Sequence, residues 1–169
     1  MREITLTQGK AALVDDEVFD RLNPWGWYAN RCGKPFYAVR NGSRANGARP
    51  TLIYMHRVIW ELIHGPIPGG FDIDHVDRDG LNNRGDNLRL ATPQQQNCNR
   101  GKQSNNTSGL VGVSWDKHKG RWHARAQLNG RKKHLGYFHS AIEASLARDK
   151  FVLDHHGKFA ELNCESLRR

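Results

Sequence analysis

The sequence predicts an α+β fold built from small antiparallel sheets and short helices. Three observations predict it. In the first 55 residues, short segments rich in aromatic and β-branched residues recur between Asn, Gly, Ser and Pro clusters, the pattern of a small β-meander. A strand–loop–strand–helix pattern follows over residues 71–100. Three strand-like segments then lead into one capped helix, which reads as a three-stranded antiparallel sheet packed on one helix.

Taken in order, Ile4 to Thr7 alternates and Ala12 to Val14 is a brief apolar run. Asp15 or Asp16 is placed to cap a short helix through Val18, Phe19 and Leu22. Residues 25–29, 36–40 and 51–55 are the strands of the meander, and 41–50 is a polar loop carrying Arg44 and Arg49. This region, 1–55, reads as a β-rich support. Residues 56–63 have helical spacing, with Ile59, Leu62 and Ile63 on one side, and Gly65-Pro66 stops them. Ile73 and Val76 suit one strand, and Leu88 and Leu90 a second. Thr92 suits the N-cap of a helix with Pro93 at its first position. That helix brings Gln96, Asn99 and Arg100 onto one face.

Residues 101–108 hold no large apolar side chain and read as a linker, so that 56–100 and 109–169 form separate domains. Residues 110–115, 121–128 and 131–135 are strand-like, and Asn129-Gly130 is a hairpin signal between the last two. Ser140 to Glu143 is a capping box, Ala144, Ala147 and Phe151 form one apolar stripe, and Gly157 suits the end of the helix. Ile142, Leu146 and Leu153 form a second stripe.

Charge narrows the partners. The 169 residues carry a net charge of +9, and it is uneven. Residues 1–100 hold 13 Lys/Arg and 11 Asp/Glu, whereas residues 101–169 hold 13 and 6. A local basic excess attracts phosphate backbones, which points to nucleic acid. The basic stretch alternates like a strand and shows no amphipathic-helix pattern, so a membrane partner is not expected. No apolar run is long enough to span a bilayer and no signal peptide is read, so the expected location is the cytoplasm. Cys32, Cys98 and Cys164 are odd in number and far apart, which disfavours a disulfide framework and a cysteine zinc site. His118, His123, His134 and His139 lack zinc-ligand spacing, so no zinc is expected.

The densest polar constellation is residues 71–100. Asp74 is a hard oxygen ligand suited to Mg²⁺, and His75 titrates near neutrality and can take a proton from water. Asn87 has an amide able to fix an imidazole by a hydrogen bond. A side-chain carbonyl from Gln96 or Asn97 would complete a metal site. The same residues also suit a polar turn that binds nothing. His56 reads as structural and His64 as the C-terminal residue of its helix.

In the second half, period two puts Trp122, Ala124, Ala126 and Leu128 on one face of a strand. Arg121, His123, Arg125 and Gln127 take the other. Ser114, Lys132 and His134 join this polar face from the neighbouring strands. Such a face combines phosphate-binding and base-reading groups. It also suits an ordinary solvent-facing sheet.

Residues 56–100 resemble the HNH homing-endonuclease domain, the ββα-metal nuclease fold. The resemblance is carried by His56-Arg57, Gly65-Pro66-Ile67-Pro68-Gly69, Ile73-Asp74-His75, Leu81-Asn82-Asn83, Asp86-Asn87-Leu88-Arg89 and Asn99-Arg100. It implies Asp74 as metal ligand, His75 as general base and Asn87 as the residue that orients His75. The final family position, usually Asn or His, falls on Gln96, with Asn97 one residue further. Residues 109–163 resemble the Apetala/ethylene-response-factor DNA-binding domain through Gly112 to Trp115, Trp122 to Ala124, His134 to Phe138, Glu143-Ala144, Gly157-Lys158 and Ala160 to Asn163. That resemblance implies DNA contact by Ser114, Arg121, His123, Arg125, Gln127, Lys132 and His134.

Together these imply a site-specific homing-type endonuclease that nicks double-stranded DNA with Mg²⁺ or Mn²⁺. A monomer is expected, with a dimer as the alternative. Competing readings are a catalytically impaired DNA-binding protein and a nonspecific nuclease.

Overall fold

A computed structural model describes residues 1–31, 35–43, 51–98, 106–164 and 167. Cys32, the part of the polar loop with Arg44 and Arg49, Asn99, Arg100 and residues 101–105 of the expected linker lie outside the described residues. The fold is mixed α and β, with several small antiparallel sheets and a few helices. The chain divides into two compact units, Met1–Thr92 and Pro93–Arg169. Among the described residues, no helix is long and apolar enough to cross a membrane.

In the first unit, β1 (Arg2–Thr5) and β2 (Ala11–Val14) form an antiparallel hairpin, followed by α1 (Asp16–Leu22). Asp15 stands at the N-cap of α1, but its side chain does not cap the helix. Its Oδ2 instead accepts from Gly85 N at 2.7 Å. Strands β3 (Tyr28–Arg31), β4 (Phe36–Asn41) and β5 (Leu52–Tyr54) form a meander in the order β3-β4-β5.

Helix α2 (Met55–His64) follows β5 directly. It buries Met55, His56 and Ile59, whereas Leu62 and Ile63 are exposed at 38% and 47%. The expected apolar side therefore holds for its first half only. One core gathers Ile4, Val14, Phe19, Leu22, Trp27, Ala38, Met55, Ile59, Ile73 and Leu88 from the whole unit. Burial of these side chains is its main stabilising term.

Strands β6 (Asp72–His75) and β7 (Leu88–Ala91) pair antiparallel, Ile73 with Leu90, Asp74 with Arg89 and His75 with Leu88. Strand alternation turns Ile73 and His75 inward and leaves Asp72 and Asp74 half-buried on the other side. Val76, expected in this strand, lies past its end and is exposed.

The second unit begins with α3 (Pro93–Cys98). Strands β8 (Val113–Asp116), β9 (Arg121–Leu128) and β10 (Arg131–Phe138) form a sheet in the order β10-β9-β8. Asn129 and Gly130 have φ of 51° and 74°, as a tight primed turn requires. Helix α4 (Ala141–His156) opens with Ser140 Oγ accepting from Glu143 N at 3.1 Å and ends at Gly157, φ 52°. Ala144 and Val152 pack against the sheet, joined by the half-buried Phe151.

The second stripe expected on α4 is not buried, since Ile142 is 70% and Leu146 41% exposed. The buried side instead carries Arg148 and Asp149. Asp149 accepts from Arg148 Nη1 and Asn163 Nδ2 through Oδ1, and from Asn163 N and Cys164 N through Oδ2. Asn163 in turn exchanges two bonds with the backbone of Val111. This buried charge is fully engaged, as burial demands.

Candidate nuclease site

His75 ends β6 and is only 5% exposed. Its ring lies among aromatic neighbours. The His56 ring stands edge-on at 5.0 Å between centroids and Tyr37 is tilted at 5.8 Å. Tyr37 and Tyr54 pack on His56 at 5.7 and 5.4 Å. The meander and the start of α2 thus wall the imidazole. Gly80 lets the next loop approach this wall, for a Cβ there would lie 2.4 Å from Phe36 O and 2.6 Å from the Tyr37 ring.

The imidazole Nε2 is 3.3 Å from Asn83 Oδ1. Burial lowers the pKa of His75, and the Asn83 bond and the nearby Asp77, Asp74 and Asp79 only partly offset this. His56 is lowered further, to about 3, by burial first and then by His75 and Arg57. Its Nδ1 is buried without a hydrogen-bond partner. Both rings are therefore biased to the neutral form, and a neutral imidazole is the form that accepts a proton.

Asn87 organises the loop between β6 and β7. Its Nδ2 donates to Asp77 Oδ1 at 2.9 Å and to Asn82 O at 2.7 Å, and its Oδ1 accepts from Asp77 N at 3.0 Å. Asp77 and Asp79 also accept from backbone N–H groups two residues on, the bonding of a polar turn. Burial would raise the Asp77 carboxyl, but the bonds from Asp79 N, Asn82 and Asn87 outweigh it and hold it below the usual range.

Asp74 faces Arg89 across the ladder, and Arg89 Nε and Nη2 both donate to its Oδ2, at 2.9 and 2.8 Å. The amides of Gln96 and Asn97 lie on α3, in the second unit, with Gln96 half-buried and Asn97 exposed. Among the described residues, no group of three His, Cys, Asp or Glu is placed to hold a metal ion. Carboxylate oxygens such as those of Asp74 suit a hard cation that keeps several waters.

In the second unit, the register puts Ser114 opposite His123, Arg125 opposite His134, and Gln127 opposite Lys132. Together with Arg121, all seven expected residues lie on the sheet face turned away from Ala124 and Ala126. A register shift between His134 and Gly136 brings Tyr137 opposite His123, where their rings stack at 5.0 Å. His123 Nε2 and His134 Nδ1 are 2.7 Å apart. The pKa of His123 is lowered by burial, then by His134 and Arg125.

Sequence reasoning passed over the roles of Asn83 and Tyr37. The Asn82-Asn83 pair was a signal for the first, and nothing local marked the second.

Residues 53–98, which contain Asp74, His75, Asn87, Gln96 and Asn97, match the family model described as HNH endonuclease. Protein 3.8 of Escherichia phage T7 is 38% identical over 105 residues, covering 62% of this chain and 86% of that protein. The chain belongs to the HNH endonuclease family. An uncharacterized HNH endonuclease of Acanthamoeba polyphaga mimivirus is 34% identical over 114 residues, covering 66% of this chain and 54% of that protein. As an HNH endonuclease the chain is a nuclease hydrolase, and its matched segment runs from the end of the meander through β6, β7 and α3.

Proposed function

We propose that this HNH protein is a site-specific, metal-dependent endonuclease of the homing type that nicks double-stranded DNA, with His75 as general base. One observation carries the reading. Inside the family-matching segment, His75 is a buried imidazole biased to its neutral form, and the carboxylates of Asp77, Asp74 and Asp79 are near enough to act on its charge.

Oxygen donors fit Mg²⁺ or Mn²⁺, which would neutralise charge developing on the scissile phosphate when bound. Asp74 would supply a carboxylate for it, and the resemblance implies an amide oxygen from Gln96 or Asn97 as a further ligand. His75 takes the proton of a water that attacks phosphorus in line. The P–O bond to the 3′-oxygen breaks, and the leaving oxygen takes a proton from solvent, giving a 5′-phosphate and a 3′-hydroxyl. Asn87 supports the chemistry by holding the loop that follows His75 in one conformation. The Tyr37, Tyr54 and His56 wall keeps water from one side of the ring.

The second unit, read as an Apetala/ethylene-response-factor-type module, grips DNA with the face that bears Arg121, Arg125, Lys132, Gln127, Ser114, His123 and His134. Arg and Lys neutralise phosphates, and Arg and Gln suit base edges in the major groove.

The test is incubation of the purified protein with supercoiled plasmid bearing its neighbouring genomic DNA, with Mg²⁺, Mn²⁺ or a chelator. Nicked circles with a break mapped to one site, formed only with metal, are expected. Specific binding with no break in either metal would leave a DNA-binding protein. Breaks at no preferred position would make it a nonspecific nuclease.

A further inference from the structure

Asn83 is completely buried, and its amide is committed at both ends. Its Nδ2 donates to Leu81 O at 3.1 Å, which turns its Oδ1 toward His75 Nε2. An amide oxygen only accepts hydrogen bonds. In the neutral ring, Nε2 therefore carries the proton and Nδ1 carries the basic lone pair.

The loop holding Asn83 is itself tied to β2. Leu13 N donates to Leu81 O and Asn83 N donates to Leu13 O, both at 2.9 Å. These bonds make an isolated parallel bridge between Leu13 and Asn82. Asp15, just past β2, accepts from Gly85 N and fastens the far end of the loop. Two long-range bonds thus run from β2, and a third from Asp15 just past it, to the segment presenting Asn83. That strand is paired along its length with β1 and has Ala12 and Val14 in the core.

We propose that Asn83 is the positioning residue that sets the tautomer and ring orientation of His75, and that β2 is the rigid support that aims it. The inference rests on the reading of His75 as the base. It gives the N-terminal hairpin, outside the family-matching segment, a part in the site. Asn87 orders the loop, and Asn83 is the amide that meets the ring.

The experiment is a long-range ¹H–¹⁵N correlation spectrum of the full chain near neutral pH, without DNA or metal, with His75 assigned by its loss in His75→Gln. The wild type is expected to show the Nε2–H tautomer. Asn83→Ala is expected to give a tautomer mixture and to lower the nicking rate at least roughly tenfold, with DNA affinity nearly unchanged. A Nδ1–H ring in the wild type overturns the proposal, even where Asn83→Ala fails to fold. An unchanged tautomer in a folded Asn83→Ala overturns it as well. Neither spectrum depends on cleavage, so failure of the nuclease reading, seen in the plasmid assay, is told apart from failure here.

Discussion

Arg89 donates to one oxygen of Asp74 from two nitrogens, across a directly opposed pair of the β6–β7 ladder. The side chains are 11% and 13% exposed, so solvent does little to replace this pairing. Arg89→Ala is expected to lower stability by roughly 1–3 kcal/mol, because a desolvated carboxylate loses its donors. Arg89→Lys should recover part of the loss, since a point charge does not reproduce the guanidinium fork. Urea unfolding midpoints compare the three proteins.

His75→Ala removes the proposed proton acceptor and lies outside the second unit. Nicking of plasmid is expected to fall by at least roughly 10²-fold. Binding to the same DNA, read by gel shift, should stay within about threefold, since the proposed phosphate contacts lie on the basic sheet. Undiminished cleavage would take His75 out of the base role.

His56 sets an acid limit on the fold. Its pKa is about 3 in the folded chain against 6.5 for the free side chain. Between those values the unfolded chain binds a proton that the folded chain refuses. The stabilisation is therefore complete above the unfolded value and is lost as pH falls toward the folded one. The loss approaches about 1.4 kcal/mol per pH unit. His56→Phe lacks this dependence. From about pH 7 to about pH 4.5 the wild type should lose roughly 2.5 kcal/mol more than the variant by urea titration. Equal losses would mean that His56 takes up its proton without unfolding.

Gly80→Ala pushes a methyl group against Phe36 O and the Tyr37 ring. The backbone carbonyl cannot yield as a side chain does. A loss of about 1–3 kcal/mol is expected from such overpacking, read as a lower melting temperature.

Arg125 lies on the central strand β9 and Lys132 on the edge strand β10, both exposed on the polar sheet face. Removing a phosphate-binding cation should lower DNA affinity and flatten the plot of log affinity against log salt by about one unit of slope. Arg125→Ala that instead relaxes preference at one base, at equal slope, would mark a base-reading contact.

Several elements were legible because their signals are local. Asn129-Gly130 demands positive φ whatever surrounds it, and the Ser140 capping box needs only its own turn. The alternation in Arg121–Leu128 assigns faces before any partner strand is known. Other features were not legible. The apolar stripe read on α4 missed Arg148 and Asp149, because only Asn163 and Cys164 folding back make their burial tolerable. Leu62 and Ile63 fit the helical period but lie beyond the reach of the first unit's core. Asp15 or Asp16 was expected to cap α1; Asp15 stands at the N-cap, but Gly85 N, 70 residues away, takes its oxygen.

By itself, the sequence determined the order of strands and helices, the seven-residue polar face and the adjacency of Asp74 to His75, all consequences of near-neighbour spacing and turn chemistry. Tertiary structure alone decided that Asn83 meets the His75 ring, that Tyr37 and His56 wall it, and that β2 holds the loop. Those contacts join segments far apart in the chain, and they exist only once burial of a shared core has fixed which backbone groups must find one another.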